Sequence, residues 1–357
     1  MKYLTKITGT IPYTTKEVDI NVDGKHLIIT GGNGSGKTSF IKDLYKRIMS
    51  FAHQKIYKNP INIDFELFSG FTQKLYESQI VILHYEADRR FDNNANKNEL
   101  TGNIDITPKQ FEEYLIKLRT KQTFAFEEQE EKYYLELKGW FENFGRDLKY
   151  LFEDDSLKLN FNSRELNFYI SQNNKFNYTF SSLSRGYSAI FVIFAELLYK
   201  VNEFNISPKN LEGIVLIDEI DAHLHVSLQR KILPFLTSSF PNLQFVVTTH
   251  SPFIITSLSD AVVYDLSTLE HFEDVSMYSY ETVVEGILGV PPMAIQLHKD
   301  ITELSELIEN PQLNQQEVQQ IIDKIDLHSE NLSNLDDEAK LIYYRAKNSI
   351  SLLKNNK

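Results

Sequence analysis

The residues best suited to do chemistry form one short run, Gly31-Gly32-Asn33-Gly34-Ser35-Gly36-Lys37-Thr38, which fills every fixed position of the phosphate-loop pattern G-x-x-x-x-G-K-[S/T]. Glycines let a backbone bend until several N–H groups point at one anion, and a helix starting there adds the partial positive charge of its N-terminus. Lys37 can reach the β- and γ-phosphates of a nucleotide, and the Thr38 hydroxyl can hold Mg²⁺. Gly31, Gly32, Asn33, Gly34, Ser35, Gly36, Lys37, Thr38 and Ser39 are therefore the candidate phosphate-binding residues. Asp218 and Glu219 close the apolar run Ile214–Ile217. Asp218 is placed to hold the metal, and Glu219 to polarise an attacking water as general base. Ser184 and Gly186 precede an apolar helical stretch and can offer a hydroxyl and an N–H to a γ-phosphate; alone they read as an ordinary helix cap. His250 follows another apolar run and can hydrogen-bond a γ-phosphate and the hydrolytic water; alone it reads as structural.

The elements that must position these residues follow from periodicity. His26–Thr30 reads as a buried strand entering the loop, and Ser39–Ile48 as the helix leaving it. Val18–Val22 alternates, Asp23-Gly24 is a type I′ turn signal, and Lys25–Thr30 is the return strand of the hairpin this predicts. Gln79–Tyr85, Ile214–Ile217, Gln244–Thr249 and Ala261–Leu266 read as core strands, the second covered on both faces as in a parallel sheet. A helix is predicted from about Ala222 to Leu236, and a buried one over Tyr187–Lys200. Between them, Phe91–Asn103 is a polar loop, Pro108–Thr120 and Glu127–Leu151 carry helical periodicity, and Leu157–Phe161 with Leu166–Ile170 reads as a hairpin. Arg89-Arg90 is either a solvated pair or a phosphate or partner contact. From Tyr280 onward the pattern is helical: Leu304, Leu307, Ile308, Ile321, Ile322 and Ile325 either close a core or dock a partner, and Glu303, Glu306 and Glu309 form a solvated face. The expected fold is α/β, with an antiparallel β portion, a helical insertion and a helical C-terminal tail. The divisions are 1–90, 91–155, 156–275 and 276–357.

The chain has 357 residues, 42% hydrophobic and 12% aromatic, which allows a large core. It contains no cysteine, which excludes disulfides, thiolate metal sites and a cysteine nucleophile and suits a reducing cytoplasm. The N-terminus lacks an apolar signal region, and the longest apolar run, Ala189–Ala195, is too short to span a bilayer. A soluble, cytoplasmic protein without membrane contact is expected. The net charge of −12 does not steer the chain toward nucleic acid, so any such contact must use a local basic patch or a partner.

The order of the four motifs is more specific than any one of them. A phosphate loop, then Leu183-Ser184-Arg185-Gly186, then Ile217-Asp218-Glu219, then the strand-end His250 resembles the ATP-binding cassette ATPases, and within them the soluble SMC, RecF and OLD-type branch. The spelling Ile217-Asp218-Glu219-Ile220-Asp221-Ala222-His223-Leu224-His225 and Thr248-Thr249-His250-Ser251-Pro252 is similar to the ATPases of prokaryotic antiphage systems, Septu and the retrons, that pair with an HNH nuclease. The resemblance implies an ABC-type P-loop NTPase that binds ATP with Mg²⁺ and hydrolyses it, with Glu219, His250 and Lys37 catalytic. It implies a homodimer or higher oligomer joined through an ATP sandwich. Lys37, Thr38, Asp218, Glu219 and His250 of one subunit would face Ser184 and Gly186 of the other, with Asp221 and Ala222 in the loop touching the opposite phosphate loop. The effector would be a separate chain, an HNH-type nuclease, and nucleic acid would be reached through it. The alternatives are a DNA-repair ATPase of the RecF or SMC kind, or a nucleotide sensor that restrains a toxic partner with little turnover. No nuclease site is expected here: His223 and His225 stand beside Asp218-Glu219 without a metal-binding pattern. Departures from the resemblance are the missing glutamine after the second core strand, where His84, Tyr85 and Glu86 stand, and Tyr187 in place of the glutamine usual in transporters. The insertion also lacks the sustained heptads of an SMC arm. Tyr13 is the candidate for stacking on adenine.

Overall fold

The computed structural model describes residues 3–53, 63–67, 73–74, 80–87, 106–173, 177–291, 294–310, 314–328 and 337–355. Arg89-Arg90, Gln79 and the polar loop Phe91–Asn103 lie outside the described residues. The chain separates into two compact units, 1–283 and 284–357.

The first unit is built on a sheet ordered β11-β10-β3-β9-β8-β5. Its strands are β3 (His26–Thr30), β5 (Ile80–Tyr85), β8 (Glu212–Ile217), β9 (Leu243–Thr248), β10 (Ala261–Asp265) and β11 (Glu270–Glu273). All neighbours are parallel except β10 and β11. Every residue of β3, β9 and β10 is buried, because helices cover both faces of a parallel sheet. α1 (Lys37–His53) packs Phe40, Ile41, Leu44 and Ile48 on Leu27, Ile29, Leu216 and Val246. Since parallel strands end on the same side, the phosphate loop, Asp218 and His250 are delivered to one edge, with the His250 strand β9 between the other two.

A three-stranded antiparallel sheet, β2-β1-β4, stands beside it, made of β1 (Leu4–Thr10), β2 (Glu17–Asn21) and β4 (Ile63–Leu67). The predicted hairpin between β2 and β3 does not form. The Asp23-Gly24 turn is there, with φ of 48° and 73°, but β2 pairs with β1 while β3 enters the central sheet. The cause is burial: β2 alternates between buried and exposed and needs one covered face, whereas β3 is apolar throughout and needs two. Gln244, fully buried in β9, ties the two sheets together. Its Oε1 accepts from the Tyr3 and Leu4 amides (3.0 and 2.7 Å), and its Nε2 donates to the Leu4 and Lys25 carbonyls (3.0 and 2.6 Å).

The insertion is an antiparallel helical hairpin, α2 (Pro108–Glu127) and α3 (Glu131–Phe152), followed by the ribbon β6 (Lys158–Asn162) and β7 (Asn167–Ser171). A Thr107/Gln110 capping box starts α2, and Gln129 at φ 59° makes the turn to α3. Aromatic rings weld the hairpin to α4 (Arg185–Glu203): Phe144 stacks on Phe194 (5.0 Å, 10°), and Phe111 meets Phe194 edge-on (5.8 Å, 81°).

The helix expected over Ala222–Leu236 is instead two: α5 (Val226–Gln229) and α6 (Ile232–Ser239). Pro234 cannot donate to a carbonyl one turn back, so the chain restarts at Ile232 and places it in a first turn. Lys231, in the break, donates to the Tyr150 carbonyl (2.7 Å) and Glu153 (2.8 Å). β4 and β11 were not expected. Two further short helices follow in the chain, α7 (Pro252–Ile255) and α8 (Tyr280–Gly286).

The second unit packs α9 (Ile295–Leu307), α10 (Gln315–His328) and α11 (Asp337–Asn355) around their own core, which includes Leu304, Ile321, Ile322, Ile325, Tyr343 and Ile350. Glu303, Glu306 and Glu309 are exposed, as expected. No described helix is long and apolar enough to cross a membrane.

His84, 2% exposed near the end of β5, stacks on Tyr45 (5.1 Å, 26°). Burial foremost, with the Lys42 cation assisting against Asp218 and Glu86, pushes its pKa down to about 4. The unfolded chain takes this proton near pH 6.5 and the folded chain only near 4, so stability is complete above pH 6.5 and falls as pH drops toward 4. The expected loss from this group by pH 4 is about 3 kcal/mol. Urea unfolding of wild type and H84Q at several pH values between 7 and 4 measures it: the difference in stability between the two should shift steadily in favour of H84Q, and a constant difference would refute it.

Candidate nucleotide site

The loop takes the backbone conformations for which its glycines are needed. Gly31, Gly34 and Gly36 hold φ of 138°, 77° and 95°. A Cβ on Gly36 would lie 2.7 Å from Ile11 Cγ2, so this position needs glycine for both conformation and space. The loop is shored from beneath by the end of β10. Asp265 Oδ1 accepts from the Ser267 amide (2.6 Å), and Ser267 Oγ accepts from the Gly32 amide (2.8 Å). The register pairs Asp265 with Thr30, which places this support directly beside the entry to the loop.

Lys37 is buried, and its Nζ donates to the carbonyls of Gly31 and Gly32 (2.9 and 3.1 Å). Burial lowers its pKa, while the carboxylates of Glu219, Asp218, Asp265 and Asp221 oppose the shift. Those four carboxylates thus surround the loop lysine. Asn33, Gly34 and Thr38 are exposed, and Ser39 is half-buried in the first turn of α1, whose leading N–H groups have no intrahelical acceptor. Ser35 Oγ is buried with no hydrogen-bond partner.

Asp218 is 3% exposed at the end of β8. Its amide donates to the Tyr85 carbonyl (2.8 Å) and its Oδ1 accepts from Thr248 Oγ1 (2.6 Å). The same Thr248 oxygen accepts from the Glu219 amide (2.7 Å), and the Thr248 carbonyl accepts from the Ile220 amide (3.0 Å). One threonine on β9 therefore fixes both acids. Glu219 is held at φ 45°, with its side chain in solvent. Asp221 accepts from Thr249 Oγ1 (2.5 Å). His250 follows directly; its ring reaches solvent, yet surrounding protein and then the Lys37 cation hold its pKa below the usual value, with Asp221 and Glu219 opposing. The structure thus brings Lys37, Asp218, Glu219, Asp221 and His250 into one electrostatic neighbourhood.

Ser184 is the exposed N-cap of α4, its side chain making no cap hydrogen bond. A Cβ on Gly186 would meet Leu228 Cδ1 (3.2 Å) and the His223 carbonyl (3.5 Å), so the glycine lies against the loop after Glu219. Tyr187 stacks face to face on Phe152 (4.0 Å, 4°), a packing role that accounts for an aromatic here. Where a glutamine is usual, His84 is internal and Glu86 pairs with Lys42 (2.9 Å). His223 is exposed at φ 65°, and His225 Nδ1 caps α5 by accepting from the Ser227 amide (3.3 Å). Among the described residues no group of three or more His, Asp or Glu side chains forms a metal cluster. Tyr13, at φ 64° and 96% exposed, tips the turn after β1; Lys16 of this turn donates to the Ser267 carbonyl (2.7 Å), which ties it to the floor of the loop. Sequence reasoning missed Thr248, Thr249, Asp265 and Ser267. Their one signal was polar residues at the ends of apolar strands.

Residues 74–256, just over half of the chain, match the family model described as "AAA domain, putative AbiEii toxin, Type IV TA system". The chain is 39% identical over 94 residues to "Retron Ec83 probable ATPase" of Escherichia coli, which is 26% of this chain and 17% of that protein. It is 29% identical over 171 residues to "Septu protein PtuA" of Bacillus thuringiensis, 42% of this chain and 41% of that one. The chain thus spans less than half the length of these curated relatives. An SMC head bound to the C-terminal winged-helix domain of ScpA superposes with a TM-score of 0.41 at 14% identity, covering 73% of this chain and 94% of that one. The match covers the strand that leads to the buried Asp218 and more than half of the chain, and the chain belongs to the AAA-domain family of that description.

Proposed function

We propose that the chain binds and hydrolyses ATP as the nucleotide-driven subunit of a prokaryotic antiphage defence complex, two copies closing on nucleotide and controlling a separate effector chain. The observation that carries this is the division of the site. Lys37, Asp218, Glu219 and His250 share one edge of the sheet, while Ser184 presents an exposed hydroxyl with no cap hydrogen bond at the start of a long helix. The names of the retron and Septu relatives support the defence setting.

A triphosphate fits the residues present: the orphaned Ser35 hydroxyl, the glycine conformations and the helix start all call for an anion. Lys37, now satisfied only by its own loop, would turn to the phosphates. Thr38 and Asp218 would hold Mg²⁺, which would neutralise charge on the phosphates. Glu219 takes the proton of the attacking water. His250, kept neutral near pH 7, can give one ring N–H to the γ-phosphate while its other nitrogen accepts from water. Tyr13 offers its exposed ring to adenine. Ser184 and Gly186 of the second copy complete the cage.

Light scattering with and without ATP tests the division. Wild type should shift to a dimer or a larger assembly on ATP addition. S184R should bind a fluorescent ATP analogue within about threefold of wild type yet lose both the shift and at least about tenfold of turnover, since its bulk and charge block only the second copy. Equal turnover in S184R, or hydrolysis by an obligate monomer, would overturn the sandwich.

A further inference from the structure

Away from the nucleotide site, α2, α3 and the β6–β7 ribbon enclose an open groove of about 660 Å³. Arg119 of α2, Arg146 and Lys149 of α3 and Lys158 of β6 line it, with Phe141 and Phe161 half-buried between them. None of these four cations is ion-paired among the described residues. Arg119 donates to the Gln122 side chain (2.5 Å) and Arg146 to Asn143, both neutral. The one carboxylate on the lining, Glu142, is exposed. On a chain of net charge −12, four unneutralised cations facing one concavity run against the average surface and make a local field for a polyanion. Gly145, in mid-helix, leaves space: a Cβ there would meet nothing within 4 Å, so the wall between Phe141 and Lys149 is open to a flat group. Arg119 lies over the Phe141 ring (5.5 Å); rings beside cations that hold no carboxylate are the chemistry of single-stranded nucleic acid, where phosphates take the cations and bases stack on rings. Phe161 packs on Phe168 (5.0 Å, 42°) and is itself half-buried, so part of its ring stays accessible to a base, whereas an acidic peptide would use the cations and not the ring.

We propose that this groove binds single-stranded nucleic acid, the four cations on backbone phosphates and Phe161 under a base. The full chain is titrated against labelled oligothymidylate and oligouridylate by fluorescence anisotropy over a salt series, with polyglutamate as competitor. Wild type should bind at least one oligonucleotide saturably at low salt. R146Q/K149Q should weaken binding at least about tenfold and reduce the log–log salt slope by about 1.4. F161A should weaken it about tenfold with the slope unchanged. Thermal melting and binding of a fluorescent ATP analogue establish that each variant is folded, and K158Q, at an exposed position of the lining, replaces any variant that is not. Absence of saturable binding, wild-type affinity in R146Q/K149Q, or displacement by polyglutamate at equal charge concentration with F161A as tight as wild type would overturn the proposal; the last result would assign the groove to an acidic protein segment.

Discussion

Replacing Glu219 by glutamine should lower ATP turnover by about 10²- to 10⁴-fold, the range that a positioned general base contributes. ATP affinity should hold or tighten, and the nucleotide-bound assembly should persist. The expectation rests on how the residue is held. A non-glycine residue at φ 45° costs about 1–3 kcal/mol unless its surroundings dictate it. Here they do: the Thr248 hydroxyl accepts from the Glu219 amide, and the Thr248 carbonyl accepts from the next amide. The Glu219 carbonyl in turn accepts from Ala222 (2.8 Å), which closes the turn. The Thr248 and Ala222 contacts therefore fix the backbone through main-chain groups, and the exposed residue lies within the field of Lys37. Glutamine keeps the volume, the backbone and the hydrogen-bond reach and removes the negative charge together with the ability to take a proton. Steady-state phosphate release measures the loss, and gel filtration in ATP measures the trapped assembly. Turnover within about threefold of wild type would show that the proton goes elsewhere.

The candidate phosphate-binding residues were legible because their types are dictated locally: glycine for a positive φ, lysine and threonine at fixed offsets, and acids after an apolar run. Their supports were not. Nothing in the spacing of Thr248 and Asp218 says that the two stand side by side; that follows only from the parallel register that pairs Ile217 with Val247. The β2–β3 error has the same root. The Asp23-Gly24 signal was correct about the turn, but a turn does not choose the partner strand. The deciding information was the change from alternation in β2 to unbroken apolarity in β3. β11 is an edge strand with the sequence Glu-His-Phe-Glu, mostly exposed, and carries no apolar period to detect. The helical insertion was readable because packing against α4 imposes a helical stripe on it, whereas its groove depends on which side chains of two helices and a ribbon converge.

The second large effect concerns scaffold rather than chemistry. Gly213, in β8, should not tolerate even alanine. Its φ is 150°, and a Cβ there would lie 2.0 Å from the Val81 carbonyl oxygen and 2.8 Å from its carbon, atoms of the neighbouring strand rather than of a flexible side chain. β8 is hydrogen-bonded on both sides, to β5 and β9, so relief requires the β5–β8 ladder to part. Backbone strain and overpacking together make the expected cost about 3–5 kcal/mol, which lowers the melting temperature by about 6–15 °C for a unit of this size. Gly139 supplies the contrast. It lies inside α3, where an added Cβ meets nothing within 4 Å, so the same substitution should raise stability by about 0.5–1 kcal/mol through helix propensity. Because Gly213 lies near the start of the strand that leads to Asp218, G213A protein that does fold at low temperature should bind ATP, and its defect should be thermal. Melting of G213A within about 2 °C of wild type would mean that β5 and β8 are not packed as closely as this geometry requires.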